Sequence, residues 1–143
     1  MRYAFASREW LAALHAVIAV RLEAAGEAAR GLAYSMCEVY RGVPAHLGPD
    51  ADGTLAWHCR IADGALEFGL GELPGADLKV AGTYEALLPI ARIDASSGPE
   101  AAKRLAALAG AAMASGTLAI EGDLAARPAP LLAVHDAIAR LTA

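Results

Sequence analysis

Several residue types are scarce in this sequence, and each scarcity excludes a class of protein. Asparagine and glutamine do not occur, and the 143 residues include only two cysteines, two phenylalanines and two tryptophans. Two cysteines are too few for a disulfide scaffold, and the spacing of Cys37 and Cys59 fits no metal-binding motif. We therefore expect both to be reduced, buried residues of two strands.

Long apolar runs and an excess of positive charge are also missing. No segment stays apolar over the ~18 residues that a membrane-spanning helix requires, so we expect no transmembrane segment and a cytoplasmic location. The 12 basic and 16 acidic residues give a net charge of −4. Because the basic residues form no stripe, we do not expect a nucleic-acid partner.

Catalytic signatures are absent as well. The sequence has no G-x-S-x-G, no Walker loop, no H-E-x-x-H and no C-x-x-C motif. Its four histidines, His15, His46, His58 and His135, are scattered over predicted helices, a loop and a strand, whereas a metal site needs converging ligands. We expect no metal and no cofactor, and we predict no catalytic residue except Glu38, a weak candidate discussed below.

Alanine dominates the residues that are present. The sequence contains 37 alanines, and its hydrophobic fraction is 57%. A core of small side chains with a few large ones leaves internal space more easily than a core of large ones. The length indicates a single domain, residues 1–143, that can bury a core without disulfides.

Hydrophobic spacing predicts helices and strands in the order α-β-β-β-β-α-α-β-α. A helix is expected over residues 7–25, with Ser7 as its N-cap. Alternating side chains predict strands at 32–40, 55–61, 65–70, around 78–80 and at 117–121. The first of these has no plainly polar face, which is typical of a strand covered on both sides. The four consecutive strands predict an antiparallel meander with one covered face.

The later helices carry two proline signals. Thr83 is expected to cap a helix that Pro89 kinks or ends, and a further helix begins at residues 97–100. The last helix is expected to start near Pro128, with an apolar stripe through Leu131, Val134, Ile138 and Leu141. The whole pattern predicts an α+β fold in which helices pack on one face of a mostly antiparallel sheet.

Three segments in order resemble the sterol carrier protein type 2 family. They are Asp63-Gly64-Ala65-Leu66-Glu67-Phe68, the strand and helix start ADLKVAGTYEAL at 76–87, and GTLAIEGD at 116–123. The order and approximate spacing match over roughly residues 7–141. The resemblance implies a five-stranded sheet covered by helices, with an apolar tunnel between them that binds sterols, fatty acids, acyl-CoA thioesters or other hydrophobic metabolites. Pro89 and the extra or lengthened helix over 93–113 depart from the family pattern, so ligand size and shape do not transfer.

The resemblance makes the inward-facing apolar residues candidates for the ligand-binding wall, although a plain core would use the same residues. These candidates are Tyr34, Met36, Trp57, Leu66, Phe68, Leu78, Val80, Leu87, Leu88, Leu105, Leu108, Leu118 and Ile120.

Glu38 is the acidic residue that the pattern does not explain. It shares a strand face with Tyr34, Met36 and Tyr40. The simpler interpretation places Glu38 near a strand end, where it reaches solvent. If that face points inward instead, its carboxyl would have a raised pKa or would need a partner such as Arg41 or Arg60. It would then serve as an anchor for a ligand head group, or as an acid or base.

Three functions follow from these observations. The leading hypothesis is a non-enzymatic carrier of a hydrophobic small molecule such as a sterol, fatty acid, acyl-CoA or quinone-like intermediate. The second is an enzyme, or an accessory subunit of one, that uses Glu38 or a cysteine or histidine of the same cavity. The third is an oligomerisation module, and a homodimer is compatible with each of the three.

Overall fold

The computed structural model describes residues 1–143 as an α+β fold of five strands and six helices. The strands are β1 (Ala33–Arg41), β2 (Leu55–Ala62), β3 (Ala65–Leu70), β4 (Leu78–Thr83) and β5 (Leu118–Glu121). The helices are α1 (Arg8–Ala25), α2 (Glu27–Arg30), α3 (Tyr84–Ala91), α4 (Pro99–Ser115), α5 (Ala129–Leu132) and α6 (Val134–Ala139). Short 3-10 helices cover Ala45–Leu47, Ala95–Ser97 and Leu124–Ala126. None of the helices combines the length and apolar character that crossing a membrane requires.

Helix α1 begins at the predicted cap and ties the two ends of the chain together. The Ser7 hydroxyl accepts a hydrogen bond from the backbone N–H of Trp10 at 3.1 Å, which satisfies one donor of the first turn. The Trp10 indole Nε1 donates to the hydroxyl of Thr142 at 2.9 Å. A bridge between Tyr3 and Thr142 lies beside this bond, so α1 and the C-terminal residues form one packed unit.

The sheet is mixed, and the predicted mostly antiparallel meander is wrong at its fourth strand. The strand order is β3-β2-β1-β4-β5. Strands β1, β2 and β3 form an antiparallel meander. Strand β4 instead pairs with the other side of β1 and runs parallel to it, with Met36 opposite Leu78 and Glu38 opposite Val80. Alternating side chains show which face of a strand is buried but not which strand it pairs with. The alternation of β4 therefore did not indicate that the chain crosses over from β3 to pair β4 with β1.

The crossover from β3 to β4 covers the sheet face that carries no helix, which we call the outer face. Cys37, Val39 and Ala56 are buried there, and Leu73 and Ala76 of the crossover segment 71–77 pack against them. This arrangement confirms that β1 is covered on both sides. The opposite face, which we call the inner face, packs against the helices and forms the larger core cluster.

Two later helices differ in detail from the sequence prediction. Helix α3 passes through Pro89 but ends two residues later at Ala91, in keeping with the missing proline N–H. The predicted last helix is two short helices, because the chain leaves helical geometry at Ala133.

Strand β5 closes the sheet against β4, with Leu118 opposite Gly82 and Ile120 opposite Val80. Gly122 follows the strand with φ +103°, and a Cβ there would overlap the carbonyl oxygen of Asp77. Both the backbone conformation and the close approach require glycine at this position. Gly122 thus lets the end of β5 lie directly against the start of β4.

Candidate functional site

A cavity of about 380 Å³ lies between the inner face of the sheet and the helices. Of the 25 residues that line it, 21 are hydrophobic, and they come from four strands, five of the helices and the loops between them. The wall consists of Phe5, Trp10, Leu14, Ile18, Met36, Glu38, Tyr40, Trp57, Val80, Leu87, Ile90, Ala91, Ala95, Leu105, Ala109, Leu118, Ile120, Leu124, Arg127, Leu131, Leu132, Val134, His135, Asp136 and Ile138. A few polar groups in a mostly apolar wall are typical of small-molecule sites.

A second depression, of about 500 Å³, lies between the first two helices and the hairpin of β2 and β3. Only four of its ten lining residues are hydrophobic, and Glu23, Glu27, Arg30 and Asp63 supply its charged rim. It is larger than the apolar cavity, but it is an open surface groove whose walls present little apolar area to a ligand. We therefore take the cavity under the helices as the candidate site.

The structure divides the predicted wall residues into two groups. Those in the cavity wall are Met36, Trp57, Val80, Leu87, Leu105, Leu118 and Ile120, together with Glu38. The six outside it are Tyr34, Leu66, Phe68, Leu78, Leu88 and Leu108.

Strand β3 shows why periodicity could not separate the two groups. Phe68 points to the inner face as predicted, but its ring stacks on Trp57 at 5.4 Å and on His15 of α1 at 4.7 Å between ring centres. These contacts close the space between β3 and α1. The cavity therefore lies beside β1, β4 and β5, away from the β3 edge.

Glu38 lies in the middle of β1 on the inner face, not near a strand end. It is half-buried, and it forms part of the cavity wall. The Tyr40 hydroxyl donates to its Oε1 at 2.6 Å. The Trp57 indole Nε1 in turn donates to the Tyr40 hydroxyl oxygen at 2.7 Å. The simpler interpretation of Glu38 as a solvated strand-end residue is thus wrong, and its partners are neighbours on the sheet in place of Arg41 or Arg60.

Burial sets the electrostatics of this hydrogen-bonded chain. Desolvation raises the pKa of Glu38, although the hydrogen bond from Tyr40, the nearby Trp57 indole N–H and the attraction of Arg127 oppose the shift. Desolvation, followed by the nearby Glu38 charge, raises the pKa of Tyr40 well above its ordinary value. The phenol therefore stays a hydrogen-bond donor, while the carboxyl holds a proton more readily than an exposed carboxyl does.

Three further polar residues line the cavity, and none of them was among the candidates for the ligand-binding wall. They are Arg127, which precedes α5, and His135 and Asp136 of α6. His135 Nε2 lies 3.0 Å from the carbonyl oxygen of Ile93, and Asp136 accepts from the N–H of Ala95 at 2.8 Å. These two residues hold α6 to the segment after α3. No periodicity marks Arg127, because it lies in a proline-rich connection.

The remaining reactive groups near the cavity are poorly suited to catalysis. Burial raises the pKa of Cys59 to about 12, so its thiolate is scarce at neutral pH. Cys37 and Cys59 are both free and buried, as expected. The Tyr34 hydroxyl is buried and makes no hydrogen bond. No three His, Cys, Asp or Glu side chains converge in a way that could hold a metal ion.

The architecture is a sterol carrier protein 2-like fold. A solution structure of a conserved hypothetical protein from Thermus thermophilus, described there as a possible sterol carrier protein, has a TM-score of 0.50 at 15% identity. The likeness covers 96% of this chain and 89% of that chain. This finding confirms a sterol carrier protein 2-like fold, while the apolar tunnel that the resemblance also implied stays a prediction.

Two other solved structures are similar at lower scores. A crystal structure of sterol carrier protein 2 has a TM-score of 0.49 and 15% identity, over 96% of this chain and 95% of that chain. The UbiJ-SCP2 ubiquinone synthesis protein has a TM-score of 0.45 and 15% identity, over 89% and 88%. No protein-family model and no curated protein matches the chain.

Proposed function

We propose that this protein is a non-enzymatic carrier that binds one hydrophobic small molecule in the cavity between sheet and helices. The observation that carries the proposal is the cavity of about 380 Å³ with 21 hydrophobic residues among its 25 lining residues. The sterol carrier protein 2-like fold supports it, as does the sterol-carrier description of the Thermus protein. Candidate ligand classes are sterols, fatty acids, acyl-CoA thioesters and quinone-like intermediates.

Removal of apolar surface from water supplies the driving force for such binding. Each Å² of apolar ligand surface that enters the cavity contributes roughly 25 cal/mol. Leu124 and Leu132 belong to the wall and are also exposed, at 38% and 50%. We propose that the segment carrying them is the route by which a ligand enters and that the predicted apolar tunnel opens there.

Glu38 supports a second candidate function. A carboxyl with a raised pKa inside a cleft is a feature of catalytic acids and bases. In this alternative, the protein or a complex containing it acts on a hydrophobic metabolite, and Glu38 moves a proton to or from it. A carrier requires no such step, so the two functions differ in whether the bound molecule is released unchanged.

Native mass spectrometry of the purified protein, followed by solvent extraction, tests the carrier function directly. We expect a bound apolar compound, and we expect displacement of a fluorescent fatty acid by added lipid. Ala109→Leu places a larger side chain in the cavity wall and should weaken binding, whereas Ala107→Leu changes an exposed residue of the same helix. A ligand-free mass together with no binding of a fluorescent fatty acid or of an uncharged fluorescent lipid would exclude a carrier. Recovery of a chemically altered ligand would favour the enzyme.

The remaining expectations belong to the same proposal. The cavity-lining residues are proposed to contact the ligand. A cytoplasmic location is proposed as well, because the unpaired Cys37 and Cys59 fit a reducing compartment. A homodimer is compatible with the fold. Gel filtration with light scattering checks the oligomeric state.

A further inference from the structure

Glu38 and Arg127 carry opposite charges on the wall of one cavity, yet they do not pair. The three ion pairs of the protein join Lys79 to Glu72, Lys103 to Glu100 and Arg140 to Asp94. Arg127 nevertheless lies close enough to Glu38 for its charge to favour the ionised carboxylate. A carboxylate and a guanidinium that share an apolar cavity without contact both retain hydrogen-bonding capacity.

The protein leaves a specific part of that capacity unused. Glu38 Oε1 accepts from Tyr40, and Oε2 accepts no hydrogen bond from the protein. Arg127 Nε donates to the carbonyl oxygen of Leu124 at 2.8 Å, while its two terminal nitrogens donate to no protein group. The cavity thus offers one acceptor on the sheet side and several donors on the side of the α5 connection.

We propose that Glu38 and Arg127 together select the polar end of the ligand, a neutral amphiphile that carries a hydroxyl group and a carbonyl oxygen. The hydroxyl donates to Glu38, and the carbonyl oxygen accepts from Arg127. This inference rests on the carrier function proposed above and adds the head-group chemistry to it.

Charge balance favours a neutral head group over a carboxylate. Glu38 and Arg127 sum to zero, so a neutral ligand satisfies both without adding charge to an apolar site. A ligand carboxylate would add a negative charge beside Glu38, and this cost disappears only when Glu38 takes up a proton. Carboxylate binding should therefore weaken as the pH rises, while binding of a neutral ligand should not.

The other titratable groups around Glu38 do not replace it in this role. Tyr40 is committed to Glu38 itself, and Cys59 on β2 is a buried thiol. His135 and Asp136 on α6 are bound to backbone groups of the segment after α3. Helices α1, α3 and α4 contribute only apolar residues to the wall.

Three probes with equal alkyl chains test the selection in the full-length protein: a 1-hydroxy-2-alkanone, a 1-alkanol and an alkanoate. Competition against a fluorescent fatty acid gives each dissociation constant at several pH values. We expect the hydroxyketone to bind the unmodified protein most tightly and the alkanoate most weakly at high pH. In Glu38→Gln the dissociation constant of the hydroxyketone should rise by roughly tenfold, which is the scale of a lost hydrogen bond to a charged group. The alkanoate should bind more tightly in the same variant and lose its pH dependence.

Arg127→Gln should weaken the binding of both the hydroxyketone and the alkanoate. Arg127→Lys should bind both more tightly than Arg127→Gln does, because it keeps the positive charge. Glu121→Gln and Arg60→Gln make the same chemical changes at exposed positions of β5 and β2 and serve as matched controls. A purely structural role for Glu38 would shift all three probes in one direction, and that result would overturn the selection while leaving the carrier intact. Failure of every probe, with no ligand in the purified protein, would overturn both.

Discussion

Cys37 and Glu38 are neighbours on β1, but they point to opposite faces of the sheet and meet opposite surroundings. On the outer face, Cys37 is fully buried, and Val39 and Ala56 beside it are nearly so. The crossover segment 71–77 closes over these small side chains. On the inner face, Glu38 looks into a cavity. The same strand thus has one sealed face and one open face.

The difference lies in what covers each face. A loop has no fixed surface and can settle onto small residues until no space remains. A helix is a rigid cylinder, and α1 packs on the inner-face core through bulky buried residues such as Trp10 and Leu14. Alanines of the covering helices, including Ala91 and Ala109, then leave space that no neighbour fills. In this protein, small side chains are tightly packed where the crossover loop covers them, and they leave a cavity where helices cover them.

Removing the largest inner-face side chain should have the largest effect on stability. Trp57 is 2% exposed and donates to Tyr40, so Trp57→Ala should cost about 3–5 kcal/mol of the free energy of unfolding. Val39→Ala on the outer face removes far less buried surface and should cost roughly 1.5 kcal/mol. Urea unfolding followed by circular dichroism measures both. Equal costs would contradict the difference between the faces.

The close approach between the end of β5 and the last residue of the crossover, Asp77, can be tested at Gly122. A Cβ at this residue would overlap the Asp77 carbonyl oxygen, and the φ angle is +103°. Gly122→Ala should cost roughly 1–3 kcal/mol from the backbone conformation, with the overlap adding to it. Gly110 lies in α4 with nothing within 4 Å of its Cβ position, so Gly110→Ala should stabilise by about 0.5–1 kcal/mol. Thermal unfolding of the two variants should therefore shift in opposite directions.

Adding volume to the two layers separates a packed layer from an open one. Ala56→Leu places a larger side chain beneath the crossover and should cost about 1–3 kcal/mol through overpacking. Ala109→Leu adds the same volume at the cavity wall and should leave the free energy of unfolding unchanged or higher. Chemical denaturation measures both. A destabilised Ala109→Leu would mean that the cavity has no room for the added atoms.

Local structure and the buried faces of the strands were predictable because they depend on nearby residues. Ser7 caps α1 as its position indicated, and β2 and β3 pair antiparallel as the meander prediction required. The placement of β4 was not predictable in this way. Its alternation is the same whether it pairs with β3 or with β1, and only the need to cover Cys37, Val39 and Ala56 distinguishes the two.

The cavity was predictable only in part, and for a related reason. The inward periodicity of Met36, Val80 and Ile120 is the same in a packed core and in a cavity wall. Whether space remains depends on how closely the helices approach, which the sequence of one strand does not record. Arg127 reaches the site from an irregular connection, and no spacing rule applies to such a position.

The smallest expected effect concerns Glu38 and the pH dependence of stability. Burial raises the pKa of Glu38 in the folded protein above its ordinary value of 4.5. The folded state then holds this proton more tightly than the unfolded state, so folding gains stability below that value and loses it as the pH rises through the folded pKa. Glu38→Gln cannot ionise. Relative to the unmodified protein, this variant should therefore gain stability progressively above pH 4.5 and level off once Glu38 is fully charged. Urea unfolding at a series of pH values measures this difference, with Glu121→Gln at an exposed position as the control. If the difference in the free energy of unfolding stayed constant across the series, the inner face would solvate Glu38 as well as water does. The two faces of the sheet would then differ only in how tightly they are packed.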